Sequence, residues 1–85
     1  MTTQAKIVEL YTLSTCPWCR KAKAYLDEKS VKYSYIDYDL ADEATQKRIL
    51  QELDAAGATG FPFVRIGDKV IAGYQPELYS KALRS

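Results

Sequence analysis

The period of apolar positions changes several times along this 85-residue chain, and each change marks an element. Ile7-Val8-Glu9-Leu10-Tyr11 is apolar enough to be a central strand of a sheet. From Arg20 to Lys29 the period is helical. Cys19, Ala22 and Leu26 fall on one stripe, and Arg20, Lys21 and Lys23 fall where they are expected to face water. This helix is predicted to start at or near Cys16, with Pro17 in the first turn, where its missing N–H is no loss. Lys32 to Asp37 reads as a second strand, rich in tyrosine and ending in an acidic loop. A second helix runs from about Asp42 to Asp54. Asp42 or Asp39 would cap it, Ile49, Leu50 and Leu53 supply its apolar face, and Gly57 sits just past its end.

After Gly60 the pattern becomes strand-like. Phe61 to Ile66 is a third strand, and Gly67-Asp68 is a two-residue hairpin loop with glycine first, as a type II′ turn requires. Lys69 to Ala72 returns antiparallel to it. Gly73 to Gln75 turns the chain, and Pro76-Glu77 opens a short last helix through Leu83. The order is β-α-β-α-β-β-α, an α/β arrangement. A right-handed parallel βαβ unit followed by a hairpin gives a four-stranded mixed sheet with three helices covering both faces. Residues 1–85 make one domain with a single modest core.

Composition narrows the function classes by what it lacks. The net charge is +1, which supports neither a nucleic-acid nor a membrane partner. Met1 to Lys6 is short and polar with no apolar run after it, so no signal peptide is expected. No apolar stretch approaches the ~20 residues of a membrane span. Two cysteines without a secretion signal point to a reducing compartment, the cytoplasm, where a disulfide is more often catalytic than structural.

Those two cysteines lie in Cys16-Pro17-Trp18-Cys19, at a strand-to-helix junction inside a βαβ pattern. That context favours redox chemistry over a structural staple. Zinc normally takes four ligands, and the chain has no histidine and only two thiols, so no metal site is expected. Two rivals stand beside redox chemistry. One is a metal module, either a copper(I) carrier or a dimer bridging an iron–sulfur cluster; the other is a non-catalytic binding module. For an exchanger, Cys16 is the candidate nucleophile, because a sulfur at a helix N-terminus meets unpaired N–H groups and the positive end of the dipole. Arg20 and Lys21 would add positive charge that tunes the thiolate. Cys19, one turn on and facing inward, would resolve the mixed disulfide. Trp18, between the cysteines, fits an exposed docking surface better than a buried anchor.

This order, with the CxxC after the first strand and a proline opening the third, resembles the thioredoxin fold, and within it the glutaredoxin family. The resemblance runs from about Lys6 to Leu83. It is carried by Cys16-Pro17-Trp18-Cys19, by Gly60-Phe61-Pro62-Phe63-Val64, and by Gly73-Tyr74-Gln75-Pro76-Glu77. It implies a monomeric dithiol oxidoreductase that reduces protein or small-molecule disulfides through Cys16 and Cys19. A cis bond before Pro62 would lie beside the disulfide and aim the Phe61 backbone at an extended substrate. Pro17, Trp18, Phe61, Pro62, Tyr74 and Gln75 become the substrate-binding candidates. Tyr11 and Tyr74 are the two tyrosines placed near the site. The resemblance implies no tightly bound cofactor; glutathione or a reductase would donate electrons.

Two departures bear on the donor. Leu13 stands where many glutathione-using members carry a lysine, and Ala72-Gly73-Tyr74-Gln75-Pro76-Glu77 replaces the polar pair that holds the amino end of glutathione. The latter pattern looks more like redoxins that donate electrons to ribonucleotide reductase and are commonly reduced by thioredoxin reductase. Thr59 is also one residue further from the proline than the usual Thr-x-Pro.

Overall fold

The computed structural model describes residues 6–84; the expectation that the chain starts without a leader falls mostly on residues 1–5, outside that range. Strand β1 is Val8–Thr12, helix α1 Pro17–Glu28, β2 Ser34–Asp37, α2 Glu43–Ala55, β3 Phe63–Ile66, β4 Lys69–Ala72 and α3 Pro76–Arg84. A 3₁₀ turn, Tyr38–Leu40, follows β2. The sheet order is β2-β1-β3-β4, with β1 parallel to β2 and the other pairs antiparallel. This is the expected mixed sheet of the thioredoxin-like fold.

Alternation along the central strands sorts the helices. Val8 and Leu10 of β1 and Val64 and Ile66 of β3 point to one face, where they bury against Ala22 and Leu26 of α1 and Tyr79 and Ala82 of α3. Tyr11 and Phe63 point to the other face and meet Ile49 and Leu53 of α2. The stripe Cys19, Ala22 and Leu26 is the buried side of α1, as the helical period required. Leu50 is a correction. It is 48% exposed, because the buried side of α2 passes through Ile49 and Leu53 alone among the three residues named for it.

Ends and turns follow local chemistry. Asp42 caps α2 by accepting from Thr45 N–H at 2.8 Å. Asp39, the other candidate cap, is used elsewhere. Both α1 and α2 close in Schellman motifs. Gly57 N–H bonds Asp54 O and Ala58 N–H bonds Leu53 O after α2, while Ser30 N–H bonds Asp27 O and Val31 N–H bonds Leu26 O after α1. Gly57 takes the left-handed position at φ +71°, and Ser30 takes the same position at φ +58° with a side chain. In the hairpin, Ile66 faces Lys69 and φ is positive at Gly67, the first of its two loop residues.

Strand β3 begins at Phe63 rather than Phe61: Pro62 has no N–H to give to a ladder, and the Phe61–Pro62 bond is cis. Strand β2 is shorter than expected, since Lys32 and Tyr33 precede its pairing with β1. On the α2 face, Glu52 accepts from the Tyr11 hydroxyl and from Arg65 at 2.7 Å. Arg65 also lies 3.7 Å from Glu9. Among the described residues no helix is long and apolar enough to cross a membrane.

Candidate redox site

Strand β1 ends at Thr12 and α1 starts at Pro17, so the four residues between them must reverse the chain. Cys16 N–H bonds Leu13 O at 3.2 Å and closes that turn. Cys16 then serves as the N-cap of α1, with extended backbone and its sulfur accepting from Cys19 N–H at 3.4 Å. A sulfur thus occupies the place usually held by a serine or aspartate oxygen. Pro17 is the first helical residue, where no donor is needed.

Both cysteines are free thiols, and they are unlike. Cys16 is partly exposed and Cys19 is completely buried. Burial pushes the Cys16 thiol up. The Cys19 thiol and the backbone N–H groups of Cys19 and Trp18 outweigh that and hold it below the ordinary thiol value. Burial pushes Cys19 up to about 12; the Leu13 N–H, at 3.4 Å from its sulfur, and the charge of Lys23 pull the other way. The groups acting on Cys16 are thus a thiol and helix amides. Arg20 is exposed on the first turns of α1, and the Lys21 ammonium lies over the Trp18 ring, 4.5 Å from its centroid. Lys23 does not simply face water: it lies 3.5 Å from Asp37 and over the Tyr35 ring at 3.6 Å.

A groove of about 300 Å³ is lined by Trp18, Phe61, Pro62, Gly73 and Tyr74. Trp18 is 55% exposed and its ring stands 5.9 Å from that of Tyr74. Gly73 N–H donates to Pro62 O at 2.7 Å, tying the loop after β4 to the proline. Behind it Tyr79, fully buried, donates its hydroxyl to Gly73 O and meets the Tyr74 ring edge-on at 6.2 Å. Four of the six residues named as substrate-binding candidates (Trp18, Phe61, Pro62 and Tyr74) therefore meet in one place.

The rest are placed otherwise. Pro17 is exposed on the first turn of α1 and does not line the groove. Gln75 folds its amide back onto Ala72 O instead of lining the groove. Tyr11 is a correction: it is 6% exposed, stacks on Phe63 at 5.6 Å and belongs to the α2 side of the sheet. Its neighbours Leu10 and Thr12 point to the face that carries α1, so alternation along β1 turns Tyr11 away. Sequence reasoning also missed the groups around Leu13. Thr12 donates to Asp37 at 2.5 Å, and Ser14 donates its N–H to Asp39 at 2.9 Å and its hydroxyl to the same carboxylate. The acidic loop after β2 was the only signal for them. Among the described residues no three potential metal ligands of the Cys, His, Asp and Glu types come together.

Comparison with known proteins agrees with this geometry. The glutaredoxin family model matches residues 8–71. Glutaredoxin 1 of Rickettsia bellii is 34% identical over 64 residues, which cover 75% of this chain and 65% of that protein. The chain thus spans just under two thirds of that relative. The glutaredoxin of Archaeoglobus fulgidus superposes with a TM-score of 0.84 at 28% identity, over 95% of this chain and 89% of that one. The glutaredoxin-like NrdH-redoxin of Escherichia coli, described as having a thioredoxin-like activity profile, shares the fold. Its TM-score is 0.74 at 22% identity, over 87% of this chain and 91% of that one. The chain belongs to the glutaredoxin family of thiol–disulfide oxidoreductases.

Proposed function

We propose that this chain reduces disulfides by a dithiol route, with Cys16 as nucleophile and Cys19 as resolving thiol. The observation that carries the reading is the inequality of the two sulfurs: Cys16 is partly exposed at the N-cap of α1 with the Cys19 N–H on its sulfur, and Cys19 is completely buried one turn on. The Cys16 thiolate attacks one sulfur of a substrate disulfide. A Cys16–substrate bond forms, the substrate S–S bond breaks, and the leaving thiolate takes a proton from water. Cys19 loses its proton and attacks Cys16 Sγ, which forms the Cys16–Cys19 bond and releases the second substrate thiol. Two electrons pass to the substrate, and an external thiol must return them.

The lining of the groove favours one donor over another. Glutathione carries two carboxylates and an ammonium, and carboxylate recognition relies on charged partners. Trp18, Phe61, Pro62, Gly73 and Tyr74 carry no charge. With Leu13 in place of a lysine and Gln75 turned to Ala72 O, this supports a redoxin served by thioredoxin reductase as the second reading. Neither reading needs a tightly bound cofactor, and both place the protein as a monomer in the reducing cytoplasm. The metal-module rival has two thiols to build on, and a binding module would survive loss of Cys16.

The test is disulfide reduction followed through NADPH loss, with glutathione plus glutathione reductase in one arm and thioredoxin reductase alone in the other. Turnover in either arm that vanishes in Cys16→Ser supports the exchange, and the active arm names the donor. Function that persists in Cys16→Ser refutes it.

A further inference from the structure

Leu13 touches both cysteines through its backbone. Its N–H points at Cys19 Sγ at 3.4 Å, and its carbonyl accepts from Cys16 N–H at 3.2 Å. Leu13 lies beyond the end of β1, in the loop before α1, so the sheet ladder does not fix it. Its two neighbours are fixed instead. Thr12, completely buried, donates its hydroxyl to Asp37 at 2.5 Å. Ser14 gives both its N–H, at 2.9 Å, and its hydroxyl to the two oxygens of Asp39. The two aspartates are separated by one residue, at the end of β2 and in the 3₁₀ turn.

We propose that Asp39 is a positioning residue of the redox centre, holding Ser14 so that the Leu13 amide stays aimed at the resolving sulfur. The proposal rests on the dithiol exchange described above. A hydrogen bond weakens steeply with misalignment, and one to an ionised acceptor is stronger than one to a neutral acceptor. The Leu13 N–H therefore matters most when Cys19 becomes a thiolate and attacks. A donor already in place then needs no reorganisation at the moment of reaction. Thr12 and Asp37 hold the near side of Leu13, and Asp39 holds the far side through two bonds to one residue. Asp39 acts through Leu13, whose N–H meets the Cys19 sulfur while only its carbonyl meets the Cys16 backbone, so its effect falls on the second step of exchange more than on the first. Hydrogen bonds from Ser14 keep its carboxyl below the usual range, so it is charged at the pH at which thiols react.

The two steps separate with an aromatic disulfide whose released thiolate is coloured. The first release is bimolecular and reports attack by Cys16; the second is independent of probe concentration and reports attack by Cys19. In Asp39→Ala the second phase is expected to slow about three- to tenfold, the rate equivalent of one hydrogen bond, while the first stays within about twofold. Ser14→Ala is expected to match it, and Ser14→Thr, which keeps both donors, to restore the second phase. Unchanged phases in both alanine variants, or phases that slow in parallel, overturn the role of Asp39. A wild-type protein that releases no thiolate refutes the exchange itself.

Discussion

The Cys16 sulfur accepts from the Cys19 N–H at 3.4 Å, so the first thiol caps the helix that carries the second. One local arrangement thereby does two things. It gives a partly exposed sulfur an amide partner, and it buries the other sulfur one turn along the inward face of α1.

Cys19 side-chain chemistry should therefore reach Cys16. In Cys19→Ala the S–H donor is lost while the backbone N–H groups remain, so the Cys16 titration should move upward from its wild-type position. Cys19→Ser keeps an O–H donor and should move it less. Ultraviolet absorbance of the thiolate across a pH series measures both. Equal titrations in wild type and Cys19→Ala would show that the second thiol does not stabilise the first.

The α1 terminus should tolerate improvement. Ser30 sits at φ +58°, where a side chain is disfavoured and glycine is at ease. Ser30→Gly relieves a left-handed penalty of about 1–2 kcal/mol and adds a glycine entropy cost of about 0.5–1 kcal/mol, so a net gain of about 0.5–1 kcal/mol is expected in denaturant titration, with activity unchanged. A loss of stability would mean that the side chain contributes more than its backbone conformation costs.

Much of the fold was legible because local patterns and tertiary structure agree. The stripe Cys19, Ala22 and Leu26 named the buried side of α1, and Gly67 and Asp42 named a turn and a cap. The site was legible where motif residues lie close to the thiols in sequence or carry the family pattern, as Trp18, Pro62 and Tyr74 do. Tyr11 misled because nearness along the chain says nothing about face, and strand alternation sent it to α2. Ser30 hid its helix-ending role because the left-handed position held no glycine. Asp39 looked like a cap because its real partner, Ser14, is 25 residues away.

Alkaline pH should destabilise the reduced protein through Cys19 and Tyr79. Each is raised in the folded state to about 12, from ordinary values of 9.0 and 10.0. The unfolded chain thus holds fewer protons in that window. The stability from keeping both groups protonated is whole below about pH 9 and is lost as pH rises toward 12. Tyr79→Phe should flatten the decline between 10 and 12, and should cost about 1 kcal/mol at neutral pH by removing the bond to Gly73 O. Denaturant midpoints across the alkaline range check both; an unchanged slope in the variant would remove Tyr79 from the account.

The groove should act on substrates rather than on the thiols. Trp18→Ala removes one wall and an exposed ring while leaving the Trp18 backbone N–H near Cys16. The expected result is a loss of up to about tenfold in kcat/KM for a protein disulfide and a smaller loss for a compact one. The Cys16 titration should stay in place. Equal losses for both substrates would mean that the ring does not dock the partner.

The most direct test of the central claim is site-resolved alkylation of the reduced protein across pH, with the modified cysteine located by mass spectrometry. The account predicts that Cys16 reacts first, with a midpoint below the ordinary thiol value, and that Cys19 stays protected into the alkaline range. Modification of Cys19 first, or of both with one shared midpoint, would contradict it.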